Sequence, residues 1–572
     1  MAEKVDVYLR QFQSLQAERV DYDVKWQLVS DYILPRRDFT VTKRPNQLRP
    51  HRVTSSVATN SNTRMASMVL TYAIDTSRPF MLPNTQRGLA TAGRPTELDD
   101  ASINYLGDLS WNVFDHMLRP KAQLLLRQAS MLKEFCAFGC GVIWTGRRRG
   151  FGPYYNGRPV QACWWAENEG GEIDTLYYKF MLPMYRVFER WPDGARQAWP
   201  DYDPQHNEQE LTSILMACQP RQGGKAGAVP EAKPWAMVTI ALDKNVIVEE
   251  SGYDSFPYAV YRYDPMPGAA YAEGPGCQVL PDVMVLNHLM QAIENCASQK
   301  AQPAIAVPAR MFGKRLDRRP SAINAYNPQG LGLMRADQAI IKLDMSGDPT
   351  DAIQVAKDLI VNIETGYFND ILQLRETGDM TAEEVNARTD MRLRGLASIV
   401  ANYGAPMTSL ADRSMEIMLE EGSIPPPPAM LAKAEVDWEY AGPLQIAQLR
   451  GNVQSALQLI NARGLVFQQD QDAAAAVDLE ETLRVIHASL GAQPRTLMSR
   501  QFVQQQRAAR AHAAQQQADA AKLGAVAKAA SDGGAGAKSA MDAISTFAGA
   551  GQAGQGGATF APAAPLATPV AA

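Results

Sequence analysis

The first 34 residues alternate apolar and polar positions with the period of an α-helix. The apolar positions at this spacing are Val5, Tyr8, Phe12, Leu15, Val24, Leu28 and Tyr32. Pro35 follows directly, and a proline cannot continue a helix. The pattern therefore predicts a first helix over residues 4–34.

Three more helices are predicted before the pattern changes, over about 58–75, 98–117 and 120–137. The last one ends at Gly139-Cys140-Gly141. Between about 142 and 265, short β-prone runs are separated by Gly, Pro and Asp, which is typical of strands joined by turns. These runs are Gly141–Thr145, Thr175–Leu182, Trp235–Leu242, Val246–Glu249 and Tyr258–Arg262. The sequence therefore predicts an α+β fold, mainly helical.

Two apolar stripes of similar length follow, over residues 278–300 and 350–371. At 1.5 Å per residue they correspond to helices of roughly 35 and 33 Å. They flank an irregular insert at 301–349, in which Arg310, Lys314, Arg315, Arg318 and Arg319 stand against one acid, Asp317. The insert is either a solvated loop or a surface that contacts a DNA backbone or an acidic partner.

A further long helix is predicted over 381–421. Thr381 and Glu384 form a capping box at its start, and Gly404-Ala405-Pro406 interrupts it, because a proline inside a helix bends it. Gly422 and Pro425–Pro428 end it. A smaller helical region covers about 443–490, and the composition beyond 505, rich in Ala, Gln and Gly, predicts disorder after about 524.

Composition narrows the classes of function. The formal net charge is −5, whereas proteins that grip DNA tightly are usually basic. The six cysteines lack metal-ligand spacing and are expected to be buried free thiols in a reducing compartment. The first residues have no signal-peptide pattern, and no run of 18 apolar residues occurs.

The sequence contains few of the residue patterns that enzymes use for catalysis. Gln222-Gly223-Gly224-Lys225-Ala226 lacks the first glycine and the hydroxyl of a phosphate-binding loop. The six histidines include no pair at metal spacing, and His288 is expected to pack beside an apolar stripe or at its solvent edge. Helix-end electrostatics accounts for Glu383 and Glu384, but the adjacent pair Glu420 and Glu421 stands at a helix C-terminus, where the dipole disfavours it. We expect no catalytic residue, no metal and no cofactor.

Several local patterns, in this order along the chain, resemble the portal proteins of podoviruses, the head-to-tail connector family. The opening helix carries Arg19, Trp26, Tyr32 and Pro35-Arg36-Arg37. The later patterns are Phe135–Val142, Glu250–Tyr253 with Phe256–Arg262, Tyr271–Gly276, Met380–Val385, Gly422–Pro428, and Tyr440–Leu444 followed by Gln448. The resemblance runs from the first helix to about residue 490. The Phe80-Met81 site departs from it, since an aromatic pair with tryptophan is expected there, and so does the tail after 505.

The resemblance implies a portal fold with wing, stem, clip and crown, assembled as a ring around a channel. Its parts would be a wing (1–277), two stem helices (278–300 and 350–371) around a clip (301–349), a tunnel loop (372–380), a kinked wing helix with a Pro-rich return (381–442), a helical crown (443–504) and a disordered tail (505–572). The tunnel-loop residues that would face the channel are Gln373, Arg375, Glu376, Thr377, Gly378 and Asp379.

The implied function is a subunit, one of twelve, of the channel through which a terminase motor packages double-stranded DNA and through which the DNA later leaves. The implied partners are further copies, non-specific DNA, the terminase large subunit at the clip, tail or adaptor proteins, capsid and scaffolding proteins, and internal core proteins at the crown. The location would be the portal vertex of the virion, after assembly in the bacterial cytoplasm. The stem stripe would be buried between subunits. Two alternatives stay open: a phage structural adaptor or scaffold without a channel, and an enzyme with an unrecognised site.

Overall fold

The structure is a computed structural model. It describes residues 2–35, 53–84, 100–202, 210–221, 233–308, 322–326, 341–343, 349–369, 397–429, 431, 436–442, 453, 455–462, 479–490, 498 and 500–532. The chain divides into two compact units, residues 1–494 and 495–572.

The N-terminal part of the first unit is helical, as predicted. Helices α1 (Ala2–Tyr32), α2 (Val57–Ala73), α3 (Asp100–Leu118) and α4 (Leu124–Phe138) end within about three residues of the expected positions, except that α4 starts later. Helix α4 stops at Gly139, which adopts a left-handed φ of 92°. Only glycine takes this conformation without strain.

The strands between 140 and 262 form two antiparallel sheets. The smaller sheet has the order β3-β2-β9, from β2 (Cys140–Arg148), β3 (Gly152–Arg158) and β9 (Tyr258–Arg262). The larger sheet has the order β4-β5-β6-β7-β8, from β4 (Cys163–Glu167), β5 (Ile173–Pro183), β6 (Leu211–Pro220), β7 (Trp235–Ala241) and β8 (Val246–Tyr253). Sequence patterns predicted five of these strands and missed β3, β4 and β6.

Two short helices, α5 (Met184–Arg190) and α6 (Pro192–Ala198), follow β5. One large apolar core joins α1, α2, α4 and β2 to the later helices. A second core lies where the N-terminal half of α1 covers the five-stranded sheet, with Phe12 against Trp164 and Tyr177. These segregated helices and antiparallel sheets confirm the α+β class.

Helix α7 spans Pro275–Ala301 and helix α8 spans Thr350–Gly366. The expected equal length is wrong, because α7 has 27 residues and α8 has 17. The predicted helix 350–371 ends early because Phe368 has a left-handed φ of 55°, which a helix cannot contain. The insert between them is also less irregular than expected. It includes β10 (Ala304–Pro308), which pairs antiparallel with β12 (Ile341–Leu343) and parallel with β11 (Ile323–Tyr326).

Helix α9 spans Ala397–Glu420 and contains Pro406. The helix is therefore continuous through Gly404-Ala405-Pro406, and the bend expected there stays a prediction. Tyr403, Met407 and Leu410 are buried on both sides of the proline, and this packing compensates for the lost hydrogen bond. Gly404 is needed for another reason, since a Cβ there would lie 3.0 Å from the ring of Tyr440. Strand β13 (Asp437–Tyr440) pairs with β1 (Met81–Asn84).

Helix α10 covers Leu479–Leu490, and helix α11 covers Arg500–Asp532 in the second unit. The tail predicted to be disordered from residue 505 therefore begins as a helix, because Ala, Gln, Arg and Lys are good helix formers even without an apolar face. The side chains of residues 504–524 are exposed. None of the described helices is both long enough and apolar enough to cross a membrane.

Candidate functional site

Helices α7 and α8 form an antiparallel pair, called here the stem hairpin. At one end, Gly366 at the close of α8 lies against Val279 near the start of α7, so closely that a Cβ on Gly366 would be 2.4 Å from Val279 Cγ1. At the other end, β10 and β12 pair directly after α7 and before α8. The chain therefore runs out along α7, passes through the small sheet and returns along α8.

Burial divides the stem hairpin into two halves. Near the body, the base of the hairpin (residues 275–287 and 356–369) contributes Val283, Leu286, Ile363 and Tyr367 to the core, each at most 1% exposed. Farther out, every residue of the tip (288–301 and 349–355) is exposed or only half-buried. The expectation that the whole stripe is buried between subunits is therefore wrong for the base, which packs within its own chain.

The base is clamped to the corner between α4 and β2 by glycines. A Cβ on Gly139 would lie 2.4 Å from the backbone of Glu273 and Gly274, and a Cβ on Gly276 would lie 2.4 Å from Ala137 O. The Cys277 thiol approaches the same corner, at 3.6 Å from Ala137 O. No side chain fits between these backbones, so the glycines allow the start of α7 to touch the corner.

Two other patterns noted in the sequence meet at this corner. Trp26 of α1 is fully buried and donates its indole N–H to Phe138 O at 3.0 Å. Lys25 pairs with Glu273 at 2.6 Å. The mid-chain pattern reaches the corner through Arg262, which pairs with Cys140 of β2, and the next residue, Tyr263, donates its N–H to Gly139 O at 2.8 Å. Residues from four of the patterns behind the resemblance, far apart in the chain, thus hold the base of the stem hairpin.

A second contact joins the middle of α7 to the segment before α2. Asn287 is buried, and its Oδ1 accepts the backbone N–H groups of Thr54 and Ser55 at 3.0 and 3.1 Å. Its Nδ2 donates to Val283 O at 2.8 Å. Nothing in the sequence pattern marked Asn287, because a polar residue on a helix reads as solvent-facing until its partners are known.

Arg19, another residue of the opening pattern, has a structural role. It is buried and binds Asp23 at 2.8 Å, while its guanidinium lies 4.0 Å from the ring centre of Trp164. It also donates to Val160 O and Gln161 O. Burial raises the pKa of Asp23, and the charge of Arg19 opposes this. Arg19 therefore fixes α1 to the start of the five-stranded sheet.

Glu420 and Glu421, the two acids that the helix dipole disfavours at the C-terminal end of α9, both bind an arginine. Arg147, near the end of β2, binds Glu420 at 2.9 Å and Glu421 at 2.5 Å. The hydrogen bond from Arg147 lowers the pKa of Glu421, and the Gly150 N–H adds to the effect. An arginine from a distant turn thus compensates for two acids at a helix C-terminus, which sequence spacing alone could not reveal.

Asp254, Glu416 and Glu420 bring carboxylate oxygens within 4.8 Å of one another. Each already faces a cation: Lys233 lies 2.6 Å from Asp254, Arg413 2.8 Å from Glu416, and Arg147 2.9 Å from Glu420. The cluster therefore acts as an ion-pair network that ties α9 to both sheets.

The cysteine prediction is confirmed for five thiols, Cys136, Cys140, Cys163, Cys218 and Cys277, which are free and buried. Burial raises the pKa of Cys140 to about 12 and that of Cys277 to about 11, so both are protonated and poor nucleophiles. Cys296 is half-buried. His288 is exposed, at the solvent edge of α7.

Several predicted site residues lie outside the described residues, and their roles stay predictions. They are the tunnel-loop residues 373–379, the basic cluster at 310–319, and the helix cap Thr381 and Glu384. Gly404 and Pro406 are described, on α9. The kink predicted at Pro406 stays a prediction.

The chain was compared with known proteins. The family model described as "Bacteriophage head to tail connecting protein" matches residues 6–498. The "Probable portal protein" of Bordetella phage BPP-1 is 22% identical over 553 residues, which cover 92% of this chain and 97% of the relative. The "Portal protein" of Salmonella phage epsilon15 is 21% identical over 547 residues, covering 92% and 94%. The match covers both the base of the stem hairpin and the sheets that hold it, and the chain belongs to the bacteriophage head-to-tail connecting proteins.

Proposed function

We propose that this chain is a portal subunit, about twelve copies of which close into a ring around a channel for double-stranded DNA. The observation that carries the proposal is the stem hairpin. Its base is locked into the body by Gly139, Gly274 and Gly276, and its tip extends without buried residues. A tip of this kind needs neighbours, which a closed ring supplies through one contact repeated between copies.

The finer assignments follow from this arrangement. Helices α7 and α8 would be the stem, and the strands β10–β12 with the basic residues Arg310, Lys314, Arg315, Arg318 and Arg319 would be the clip. The clip would dock the terminase large subunit during packaging and tail or adaptor proteins afterwards. Residues 372–380 would reach into the channel, and 443–504 would form the crown, where internal core proteins would bind.

The charge of the stem hairpin suits a conduit. Helices α7 and α8 carry five acids (Asp282, Glu294, Asp351, Asp358, Glu364) and two lysines (Lys300, Lys357), so the pair has a net charge of −3 with His288 neutral. Acidic surfaces repel phosphates, and proteins that hold DNA neutralise phosphates with Lys and Arg instead. A channel lined in this way would let DNA slide without gripping it.

The first test is electron microscopy of the purified full-length chain. Class averages with about twelvefold symmetry and a central hole are expected. Compact particles without a hole would favour a structural adaptor. A chain that stays monomeric even when it is produced together with the scaffolding protein of its phage would contradict the ring.

The tunnel-loop assignment has a test of its own. Shortening residues 372–380 should leave the ring intact, since the ring contacts would lie elsewhere, and should impair packaging or retention of DNA. Shortening the glycine- and alanine-rich segment 223–229 by the same number of residues is the control. Normal packaging by the 372–380 variant would refute the assignment.

A further inference from the structure

Helix α1 has two apolar faces on opposite sides. The face toward the core carries Phe12, Leu15, Trp26 and Val29, all buried. Successive residues of a helix are rotated by about 100°, which places Ala17, Val20, Val24 and Leu28 together on the far side of the helix. We call this second set the outer stripe. Val20 is 54% exposed, Val24 64% and Leu28 37%.

The outer stripe is a bounded patch. It extends over the 12 residues from Ala17 to Leu28, whose ends are about 17 Å apart along the helix. On the same side of α1, the N-terminal half carries the polar residues Asp6, Arg10 and Gln13. Single exposed apolar residues are normal on protein surfaces and need no explanation. Within the part of the chain that the structure describes, the outer stripe is where three large exposed apolar side chains follow one another along one helix face.

The residues beside the outer stripe narrow the choice of partner. Asp21 and Asp31 flank it, and Lys25, the cation of α1 at the edge of this side, is paired with Glu273. Acidic flanks disfavour both an anionic lipid surface, which selects lysine and arginine, and a nucleic acid backbone. The outer stripe therefore suits a protein surface with an apolar centre and basic surroundings.

A second copy of this chain offers one exposed apolar side chain with basic residues before and after it in the sequence. Leu126 of α4 is 65% exposed, and Lys121 and Lys133, five residues before it and seven after it, are exposed as well. The two surfaces differ, and a ring is built from two different faces that meet at every contact. From these observations we infer that the outer stripe of α1 is covered by a neighbouring copy of this chain in the ring. The inference rests on the proposed function, because it needs a ring in which each copy has neighbours.

The test compares two valines of the same helix. Val24→Glu places a carboxylate in the outer stripe, and Val7→Glu places one at a valine of α1 that is 42% exposed and lies about 100° away around the helix. Glutamate is at least as good a helix former as valine, and both sites are exposed in the single chain, so both variants should fold. Far-UV circular dichroism and the unfolding midpoint of the monomer check this.

The readout is the ratio of rings to monomers of the purified protein, by sedimentation and electron microscopy. Because the contact would bury the new carboxylate beside Asp21 of its own helix, Val24→Glu should lower this ratio roughly tenfold or more, and Val7→Glu should leave it unchanged. Rings formed by Val24→Glu at the wild-type ratio would overturn the inference and leave the proposed function standing.

Three other outcomes would also overturn it, for different reasons. Loss of rings in both variants would place the contact on another face of α1. Rings of Val24→Glu that form normally but fail to enter proheads would identify another capsid protein as the partner. Wild-type protein that forms no rings would remove the proposed function and the inference with it.

Discussion

The base and the tip of the stem hairpin differ in how deeply their side chains are buried. The base is buried, since Leu286, Ile363 and Tyr367 are nearly inaccessible to solvent. It is held to the body by close backbone contacts at Gly139, Gly274 and Gly276. The tip continues the same two helices, yet its residues from 288 outward stay exposed or half-buried. The base is therefore specified by its own chain, and the tip depends on what surrounds it.

The largest expected effect is on the free energy of unfolding, and it compares the same substitution, Ile→Ala, in the base and in the tip of the stem hairpin. Ile363→Ala, at a fully buried position, should lower the free energy of unfolding by about 2–5 kcal/mol, because it removes buried methyl groups and leaves a cavity. Ile353→Ala, where the side chain is 39% exposed, should lower it by less than about 1 kcal/mol. Urea unfolding of the monomer measures both, and equal effects would break the comparison.

The next prediction concerns the pH dependence of the free energy of unfolding, which we expect to come from a buried acid of the body and not from the exposed acids of the tip. Burial, with the nearby carboxylates of Asp437 and Glu416, raises the pKa of Asp412 on α9 to about 7. Between pH about 4 and 7 the native chain therefore binds more protons at Asp412 than the unfolded chain, so this residue makes stability fall as pH rises. Asp412→Asn should remove this fall and add on the order of 3 kcal/mol at pH 8.

Urea unfolding at pH 5, 6, 7 and 8 measures this dependence. Asp351→Asn, at an exposed aspartate of the tip, is the control. If both variants flatten the pH dependence equally, the burial of Asp412 is not its cause.

A smaller effect tests the closest approach of the two helices. Alanine favours a helix over glycine by about 1 kcal/mol, but a Cβ at Gly366 would collide with Val279. Gly366→Ala should therefore destabilise the monomer by about 1–3 kcal/mol in total. Adding Val279→Ala should return part of this loss, and the double-mutant cycle gives the coupling. A loss that Val279→Ala does not reduce would show that the helices do not meet there.

The smallest effect concerns the hydroxyl of Tyr367 at the base. Burial raises the pKa of Tyr367 far above its ordinary value, and its hydroxyl has no hydrogen-bond partner among the described residues. Tyr367→Phe removes a buried polar atom and should leave the free energy of unfolding unchanged or raise it by up to about 1 kcal/mol. A loss above that value, measured for monomer and ring separately, would reveal a partner for the hydroxyl.

Local patterns along the chain predicted much of this molecule. Helices α1 and α7 follow from apolar periodicity, and the end of α4 follows from Gly139, because each depends on neighbours within a few residues. The strands β3, β4 and β6 were not predicted, because much of their burial comes from contacts with partner strands. The family resemblance, confirmed over residues 6–498, supplied the function that periodicity could not.

The sequence by itself determined the α+β class, the helical character of α7 and α8 and the buried character of five cysteines, because side-chain polarity and helical period are local properties. The tertiary structure alone decided that α9 continues through Pro406, since buried Tyr403 and Met407 hold both sides of it, and that Arg147 compensates for Glu420 and Glu421. It also decided that the stem hairpin is buried at its base and solvent-exposed at its tip. Those outcomes depend on contacts between residues far apart in the chain, from 87 positions for Val279 and Gly366 to more than 270 for Arg147 and Glu420, which no local pattern encodes.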